Sequence, residues 1–255
     1  MYTLTNILGM SSSPARNIAI EEGLRAVVAT DLATGMSAGY FAAYANTACI
    51  VLGRNQEAAA ELSPVALATG APRVYRRTSG GGTVYHDEGN LNWAFVVPGT
   101  LADRAGLLRL VVGALTAAGV RATVGDRGEV TAAGRKIGGT AAAAGNGVLL
   151  FHGTLLVNTD LAALQACLAA HTKNYRAGSV RSVPSAVGNL RELAPGLTVE
   201  ALAQMLASAI AGRVSAAWKS LVDMPLVEVL TQELSSDAWI YERSLRIGRG
   251  VGAPS

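Results

Sequence analysis

Three consecutive glycines, Gly80-Gly81-Gly82, stand between an arginine pair (Arg76-Arg77) and the run Thr83-Val84-Tyr85-His86-Asp87. No other stretch constrains the fold as tightly. In regular structure a glycine costs about 1 kcal/mol relative to alanine, so three in a row need a turn at positive φ or a close backbone approach. Successive N–H groups in such a loop can form an anion-binding concavity, and the two arginines add charge beside it. A lone triple glycine is more simply a tight turn with surface arginines. The neighbouring Ser79, His86 and Asn90 favour a binding loop here.

Two further segments carry chemistry. Gly134-Arg135-Lys136-Ile137-Gly138-Gly139-Thr140-Ala141 sets a lysine close to glycines, where it can reach a ligand phosphate. It is not a nucleotide-binding Walker A loop, because the spacing and the strand-then-helix context differ. Alone, it reads as a hairpin with a solvated lysine. In Phe151-His152-Gly153-Thr154-Leu155-Leu156, read as a strand, His152 and Thr154 share a face and Gly153 leaves room opposite. Alone, His152 reads as a structural histidine. With three histidines in the chain (His86, His152 and His171), no metal cluster is expected.

Half of the residues are apolar, yet the longest apolar stretches, such as Ala48–Leu52 and Val148–Leu150, are strand-length. None approaches the ~20 residues that span a bilayer. The N-terminus lacks a basic region, and Asn6 and Ser11–Ser13 interrupt its apolar residues, so no signal peptide is expected. Two cysteines without a CxxC pattern argue against a disulfide framework and against a zinc site. The expectation is a soluble cytoplasmic protein. The net charge of +3 comes without a Lys/Arg run and with few aromatics, unlike the clustered basic footprint of nucleic-acid binders. It suits anionic substrates, or an acidic protein partner met by electrostatic steering.

Ser13-Pro14 predicts an N-cap and first helical residue, followed by an amphipathic helix through Ile18, Leu24 and Val28. Strands are expected at Ala48–Gly53, Arg73–Thr78, Leu91–Val97 and Gly147–Asn158. A helix is expected from about Leu101 to Gly119, with Leu108, Val111, Val112 and Leu115 inward. Arg127–Thr140 reads as a hairpin turning at Ala132-Ala133-Gly134. Asn158-Thr159-Asp160 caps a helix, and Thr198 opens another through Leu202, Met205, Leu206, Ala209 and Ile210, with Gly212 behind it. Val180–Pro195 reads as a long surface loop. Strands and helices mix without βαβα regularity, so the class is α+β. Residues 1–243 are expected to form one catalytic domain and 244–255 a flexible tail.

Taken together, these segments resemble the lipoate–protein ligase A family over most of the chain. Asn17–Glu22 resembles its first-helix signature, and Val51-Leu52-Gly53-Arg54-Asn55-Gln56 its glycine-containing strand end. Arg76 to Asn90 resembles its RRxSGGGxVxHDxGN motif, which is highly specific. Gly134–Ala141, His152–Leu156, Asn158–Leu161 and the pair Val180-Arg181-Ser182 and Gly188-Asn189-Leu190 follow its further blocks in order.

The resemblance implies a fold like the catalytic domains of class II aminoacyl-tRNA synthetases and biotin–protein ligases, a mixed β-sheet flanked by helices. It also implies two half-reactions, in which lipoate and ATP give lipoyl-adenylate and the acyl group then passes to an acceptor lysine. A cation between the carboxylate and the α-phosphate removes their repulsion, each contact being worth ~4 kcal/mol before desolvation at ~4 Å and an effective dielectric near 20. Lys136 is the residue expected there, touching both lipoate and ATP. Arg77, Gly82, Thr83, Val84 and Tyr85 are expected to bind ATP, largely through backbone donors. Arg76, Gly81, His86, His152 and Gly153 are expected around lipoate, with Asn90 and Ser79 as further candidates. Mg²⁺ is expected with ATP, without named ligands.

The chain stops soon after Trp239-Ile240-Tyr241, where longer members continue into an accessory domain, so a separate accessory subunit is expected. Expected acceptors are an H protein, a 2-oxoacid dehydrogenase acyltransferase or a lipoate-binding protein. Gly138 replaces the family's serine and Phe151 its first histidine, and Pro184-Ser185-Ala186-Val187 lengthens a loop. Alternatives are a cysteine-dependent octanoyl or lipoyl transferase, for which Cys167 is nearest but reads as core, and a non-catalytic lipoyl-protein binding module. Biotin–protein ligase is disfavoured because a GRGRRG-type loop is absent. Lipoate and octanoate both have medium-length apolar tails, between which a pocket discriminates poorly.

Overall fold

The computed structural model describes residues 3–8, 13–36, 38–168, 179–210, 213–214 and 224–243. His171, Gly212 and the expected tail from 244 onward lie outside the described residues.

Six strands form a mixed sheet: β1 (Thr3–Leu8), β2 (Ala38–Tyr44), β6 (Asn90–Pro98), β10 (Thr140–Gly145), β11 (Val148–Leu156) and β12 (Arg213–Val214), in the order β10-β11-β6-β2-β1-β12. A small second sheet holds β3 (Cys49–Leu52) between β4 (Arg73–Arg76), which is parallel to it, and β5 (Val84–His86), which is antiparallel. The third is an antiparallel meander of β7 (Ala122–Val124), β8 (Val130–Ala132) and β9 (Arg135–Gly138). The helices are α1 (Pro14–Ala33), α2 (Ala58–Glu61), α3 (Pro64–Thr69), α4 (Arg104–Ala117), α5 (Leu161–Leu168), α6 (Val199–Ala209), α7 (Pro225–Leu234) and α8 (Asp237–Ile240). The class is therefore α+β, as the unsorted order of elements suggests.

Strand β6 is the spine of the molecule, because every one of its residues is buried. The two-residue period of a strand divides them between two faces. Leu91, Trp93, Phe95 and Val97 face a core roofed by α4 and α6, where Trp93 meets Phe95 and Phe151 edge-on at 5.8 and 5.4 Å between ring centroids. Ala94 and Val96 face a second core under α1 and α7. Asn90 and Asn92 share that second face, so polar groups are carried into the interior beside α1. Helix α1 begins where Ser13-Pro14 predicts, with the Ser13 hydroxyl accepting the Arg16 N–H.

Several details differ from the sequence reading. On α4, Leu107 and Ala114 are buried while Val112 is only half-buried. On α6, Ala203 and Ala207 are buried and Ala209 is exposed. Strands β1 and β2 and helices α7 and α8 are further elements that the periodicities above do not pick out. Strand β10 contains four consecutive alanines, the best helix formers, yet it runs as an edge strand along β11 from Thr140 opposite Gly153 to Gly145 opposite Val148. Pairing with an already buried strand overrides local propensity there. The expected hairpin turn is present, with Ala133 and Gly134 both at positive φ (47° and 74°), the backbone of a tight two-residue loop. Among the described residues, no helix is long and apolar enough to cross a membrane.

Candidate active site

The glycine loop is held from inside by Arg77. Its Nε donates to Ser79 Oγ (3.0 Å) and Gly80 O (3.1 Å). Its Nη2 donates to Gly80 O (2.6 Å) and Gly82 O (2.7 Å), and Nη1 to Val51 O (3.3 Å). A buried guanidinium without partners would be costly, and here loop carbonyls supply them. Burial, and then neighbouring Arg76, push its pKa down to about 10 against the opposing pull of Glu21. With carbonyls turned toward the arginine, what the loop can still offer a ligand is its N–H edge. Gly81 has φ 85°, and its carbonyl oxygen lies 2.1 Å from where a Cβ on Gly53 would stand. The glycine that ends β3 and the glycine loop are therefore matched to each other.

Two cavities lie at this loop, the first lined by Gly81 and Gly82 and the second beginning at Thr83. One, of about 290 Å³, is bounded by Ile18, Glu21 and Tyr44, by the glycine loop, by His86 and His152, and by Lys136. The other, of about 420 Å³, lies along β5 between Thr83, Tyr85, Leu164, Leu168 and Val183. Both volumes fall in or near the range of small-molecule sites. Lys136 lines both, together with Thr83, Val84, Gly139 and Thr154, so the lysine stands where the two meet.

The backbone of Lys136 is fixed on both sides. Its N–H donates to Ala186 O (2.8 Å), and its carbonyl accepts from Gly188 N–H (3.0 Å). Burial pushes the ammonium pKa down, Glu129 opposes that, and Arg127 adds to it. A half-buried cation with a weakened hold on its proton is suited to meeting an incoming anion. The adjoining Gly138 explains one departure from the family pattern. A Cβ there would stand 2.1 Å from Thr154 O, so this backbone has no room for a serine.

Beside the first cavity runs a buried polar chain. Tyr44 OH donates to Glu21 Oε1 (2.8 Å), Glu21 Oε2 meets His152 Nδ1 (2.8 Å), and His152 Nε2 meets Ser79 Oγ (2.6 Å). The carboxylate accepts a hydrogen bond from Nδ1–H and so leaves Nε2 to accept from the serine hydroxyl. Burial and Glu21 push the Tyr44 hydroxyl well up, so it stays protonated.

Of the residues singled out from sequence, Arg77, Gly81, Gly82, Thr83, Val84, His86, Lys136, His152 and Gly153 line the first cavity, and Tyr85 lines the second. Three do not line either. Arg76 is a correction: its side chain is fully buried and turned away, donating to Ile240 O (2.7 Å), Gly53 O (2.8 Å) and Gln56 O (2.8 Å). Strand alternation sends neighbours Arg76 and Arg77 to opposite sides. Asn90 Nδ2 donates to Asn92 Oδ1 (3.2 Å), its own Oδ1 being buried without a partner among the described residues, and Ser79 Oγ meets His152 Nε2.

Sequence reasoning passed over Glu21, Tyr44, Asn92 and Ser182. Ser182, in the segment read as a surface loop, accepts from Thr83 N–H (2.9 Å) and Gln56 Nε2 (3.0 Å), while its own N–H donates to Glu61 Oε1 (3.1 Å). The one available hint was its place in the Val180-Arg181-Ser182 block. Cys49 and Cys167 are buried with thiols pushed up by burial, and neither lines either cavity. A thiolate nucleophile needs the reverse.

Residues 13–211 match the family described as lipoyl protein ligase A/B catalytic domain. The chain is 30% identical over 242 residues to lipoate–protein ligase 1 of Staphylococcus aureus (strain Mu50 / ATCC 700699), covering 91% of this chain and 71% of that one. Among solved structures, the P. falciparum LipL1 in complex with lipoate superposes with a TM-score of 0.79 at 20% identity, covering 95% of this chain and 75% of the other. A bipartite lipoate–protein ligase from Thermoplasma acidophilum, described with its E2 lipoyl domain, gives 0.72 at 20% identity over 96% and 99%.

Proposed function

This chain belongs to the lipoyl protein ligase A/B catalytic domain family, and from that premise we propose that it is a lipoate–protein ligase. It activates lipoate or octanoate with ATP to an acyl-adenylate and passes the acyl group to the lysine of a lipoyl-acceptor protein. The observation that carries this reading is the position of Lys136 at the junction of two cavities. The first, with Ile18 and Val51 in its wall, suits an acyl chain. The second lies along β5, an edge strand of its sheet, whose backbone groups at Val84 and Tyr85 can read a purine, with Leu164 and Leu168 as apolar walls.

In this arrangement the carboxylate and the α-phosphate meet at Lys136. The ammonium lies between them and offsets their repulsion, while the N–H edge of the glycine loop receives phosphate oxygens. Charge that develops during carboxylate attack on the α-phosphate meets fixed donors that need no reorganisation. The carboxylate oxygen bonds to phosphorus, and pyrophosphate departs with the electrons of the broken P–O bond. An acceptor lysine then attacks the acyl carbon and releases AMP.

Mg²⁺ would accompany ATP and neutralise phosphate charge. Among the described residues no group of three or more His, Cys, Asp or Glu could hold a metal, so the ion would ride on the phosphates. Such sites need only one or two protein carboxylates, and Glu129 lines the cavity near Lys136.

We propose residues 1–243 as the catalytic unit, and the cytoplasm as its location on the strength of two buried free thiols. We carry forward a separate accessory subunit, with the bipartite ligase as precedent, and acceptors of the lipoyl-domain class. The test is mass spectrometry of an apo lipoyl domain incubated with this protein, lipoate, ATP and Mg²⁺, with and without a candidate accessory subunit. An ATP-dependent lipoyl mass increment that disappears in Lys136→Ala is expected. Labelling from octanoyl carrier protein without ATP would sink the reading.

A further inference from the structure

The wall of the first cavity contains a polar group that an apolar acyl chain does not explain. His86 Nε2 is buried and has no hydrogen-bond partner among the described residues, and His86 lines the cavity. Which ring nitrogen carries the proton is fixed by two asparagines behind it. Asn17 Nδ2 donates to Asn46 Oδ1 (2.7 Å), so the amide nitrogen of Asn46 faces His86 Nδ1 at 2.9 Å. An amide nitrogen can only donate. Nδ1 therefore accepts, and the ring proton sits on Nε2 as a donor without an acceptor. Burial, then Arg77 and His152, hold the ring neutral, with its pKa pushed down to about 3.

Two other polar side chains of this cavity wall, Glu21 and Asn92, are already engaged. Glu21 holds Tyr44 and His152, and Asn92 accepts from Asn90 and donates to Tyr44 O. A ligand can satisfy the His86 donor only by bringing an acceptor to it. On β5, Val84 shares both cavities with Lys136, and His86 is two residues further on the same strand face, roughly 7 Å away. A chain whose carboxyl group lies at Lys136 thus brings its far end toward His86.

We infer that His86 Nε2–H is the donor that recognises the dithiolane sulfur of lipoate and so selects lipoate over octanoate. The inference deepens the ligase reading and rests on it. Divalent sulfur is a weak acceptor, whereas the terminal methyl of octanoate offers none and leaves a buried N–H unsatisfied. An unsatisfied buried donor costs enough to change an equilibrium roughly tenfold or more. A site that must be hydrogen-bonded discriminates in a way that an apolar slot does not.

The experiment is adenylate formation with lipoate and octanoate in direct competition, with any required accessory subunit present, for the wild type and His86→Phe. Taking the ratio within one protein cancels losses common to both acids. A preference for lipoate of roughly tenfold or more is expected in the wild type, falling close to unity in the variant. A second measurement needs no variant. With ¹⁵N-labelled histidine the chain has three histidines to assign, and saturating lipoate, but not octanoate, should shift the His86 Nε2–H resonance. Equal use of both acids by the wild type, a preference retained in His86→Phe, or equal resonance shifts would overturn the inference alone. Activation of neither acid would overturn the ligase reading and the inference with it.

Discussion

At the scale of single residues, the site depends on which polar groups are left for a ligand. Lys136 is fixed through its backbone, and its ammonium makes no hydrogen bond or ion pair among the described residues, so Lys136→Met should remove charge without disturbing β9. Pyrophosphate release with lipoate and ATP is expected to fall by at least about a hundredfold, with the melting temperature close to wild type. His86 gives a prediction with a definite sign. Its pKa is about 3 in the folded protein against 6.5 for the free ring, so the unfolded chain binds the extra proton between those values. The stability gained by holding the ring neutral is present above pH 6.5 and drains away as pH falls toward 3, by up to ~1.4 kcal/mol per pH unit. Urea midpoints of wild type and His86→Gln at pH 7, 6 and 5 should therefore converge as the solution is acidified; a gap that widens would contradict the assignment. Lys136 and the glycine loop were legible in sequence because each is a local motif. Glu21 and Ser182 were not, because their partners His152 and Gln56 lie 131 and 126 residues away. Arg76 looked like Arg77 because a linear motif does not report to which side of a strand each member points.

At the scale of elements, the segment 179–189 is the part that turns a groove into a site. It pairs with β9 at Val187 and is tied to the glycine loop by Ser182. Ser182→Ala leaves Thr83 N–H and Gln56 Nε2 without that acceptor. The segment should then lie less firmly over the second cavity, the proposed nucleotide site, raising KM for ATP about tenfold with a smaller change in KM for lipoate. Equal effects on both substrates would argue against this role. On the other side, Gly53→Ala forces a Cβ against the Gly81 carbonyl. Backbone on both sides leaves little to yield, so a loss of about 2 kcal/mol or more in urea unfolding is expected, together with weaker ATP binding. Helix starts were readable because Ser13-Pro14 and Thr198 are capping chemistry within a few residues. Strand β10 was not, since its alanines take their conformation from β11 and not from their own preference. The 180–195 segment was legible as a loop, but its pairing with β9 is a tertiary fact.

At the scale of the whole molecule, the two three-stranded sheets bring the glycine loop and Lys136 together, and the C-terminal helices lock the first of these in place. Helices α7 and α8 lie beyond the residues matched by the family, yet they close the second core. Gly23 lets α7 approach α1 so nearly that a Cβ there would be 3.0 Å from Val227. Trp239, nearly fully buried, donates from its indole N–H to Arg76 O (2.7 Å), and Arg76 donates in return to Ile240 O (2.7 Å). This reciprocal pair joins the last helix to the strand that leads into the glycine loop. Nothing in the local sequence announces it, because it links residues 163 and 164 positions apart. Trp239→Phe keeps most of the packing and removes one buried donor, leaving the Arg76 carbonyl unsatisfied, and should cost about 1–3 kcal/mol. Trp239→Ala opens a cavity as well and should cost about 3–5 kcal/mol. If the pair sets the position of the glycine loop, Trp239→Phe will also raise KM for ATP at a temperature where the protein is fully folded. A variant that is destabilised with unchanged ATP affinity would show that the C-terminal helices support the core without reaching the site. Measuring unfolding and ATP binding on the same preparation separates these outcomes.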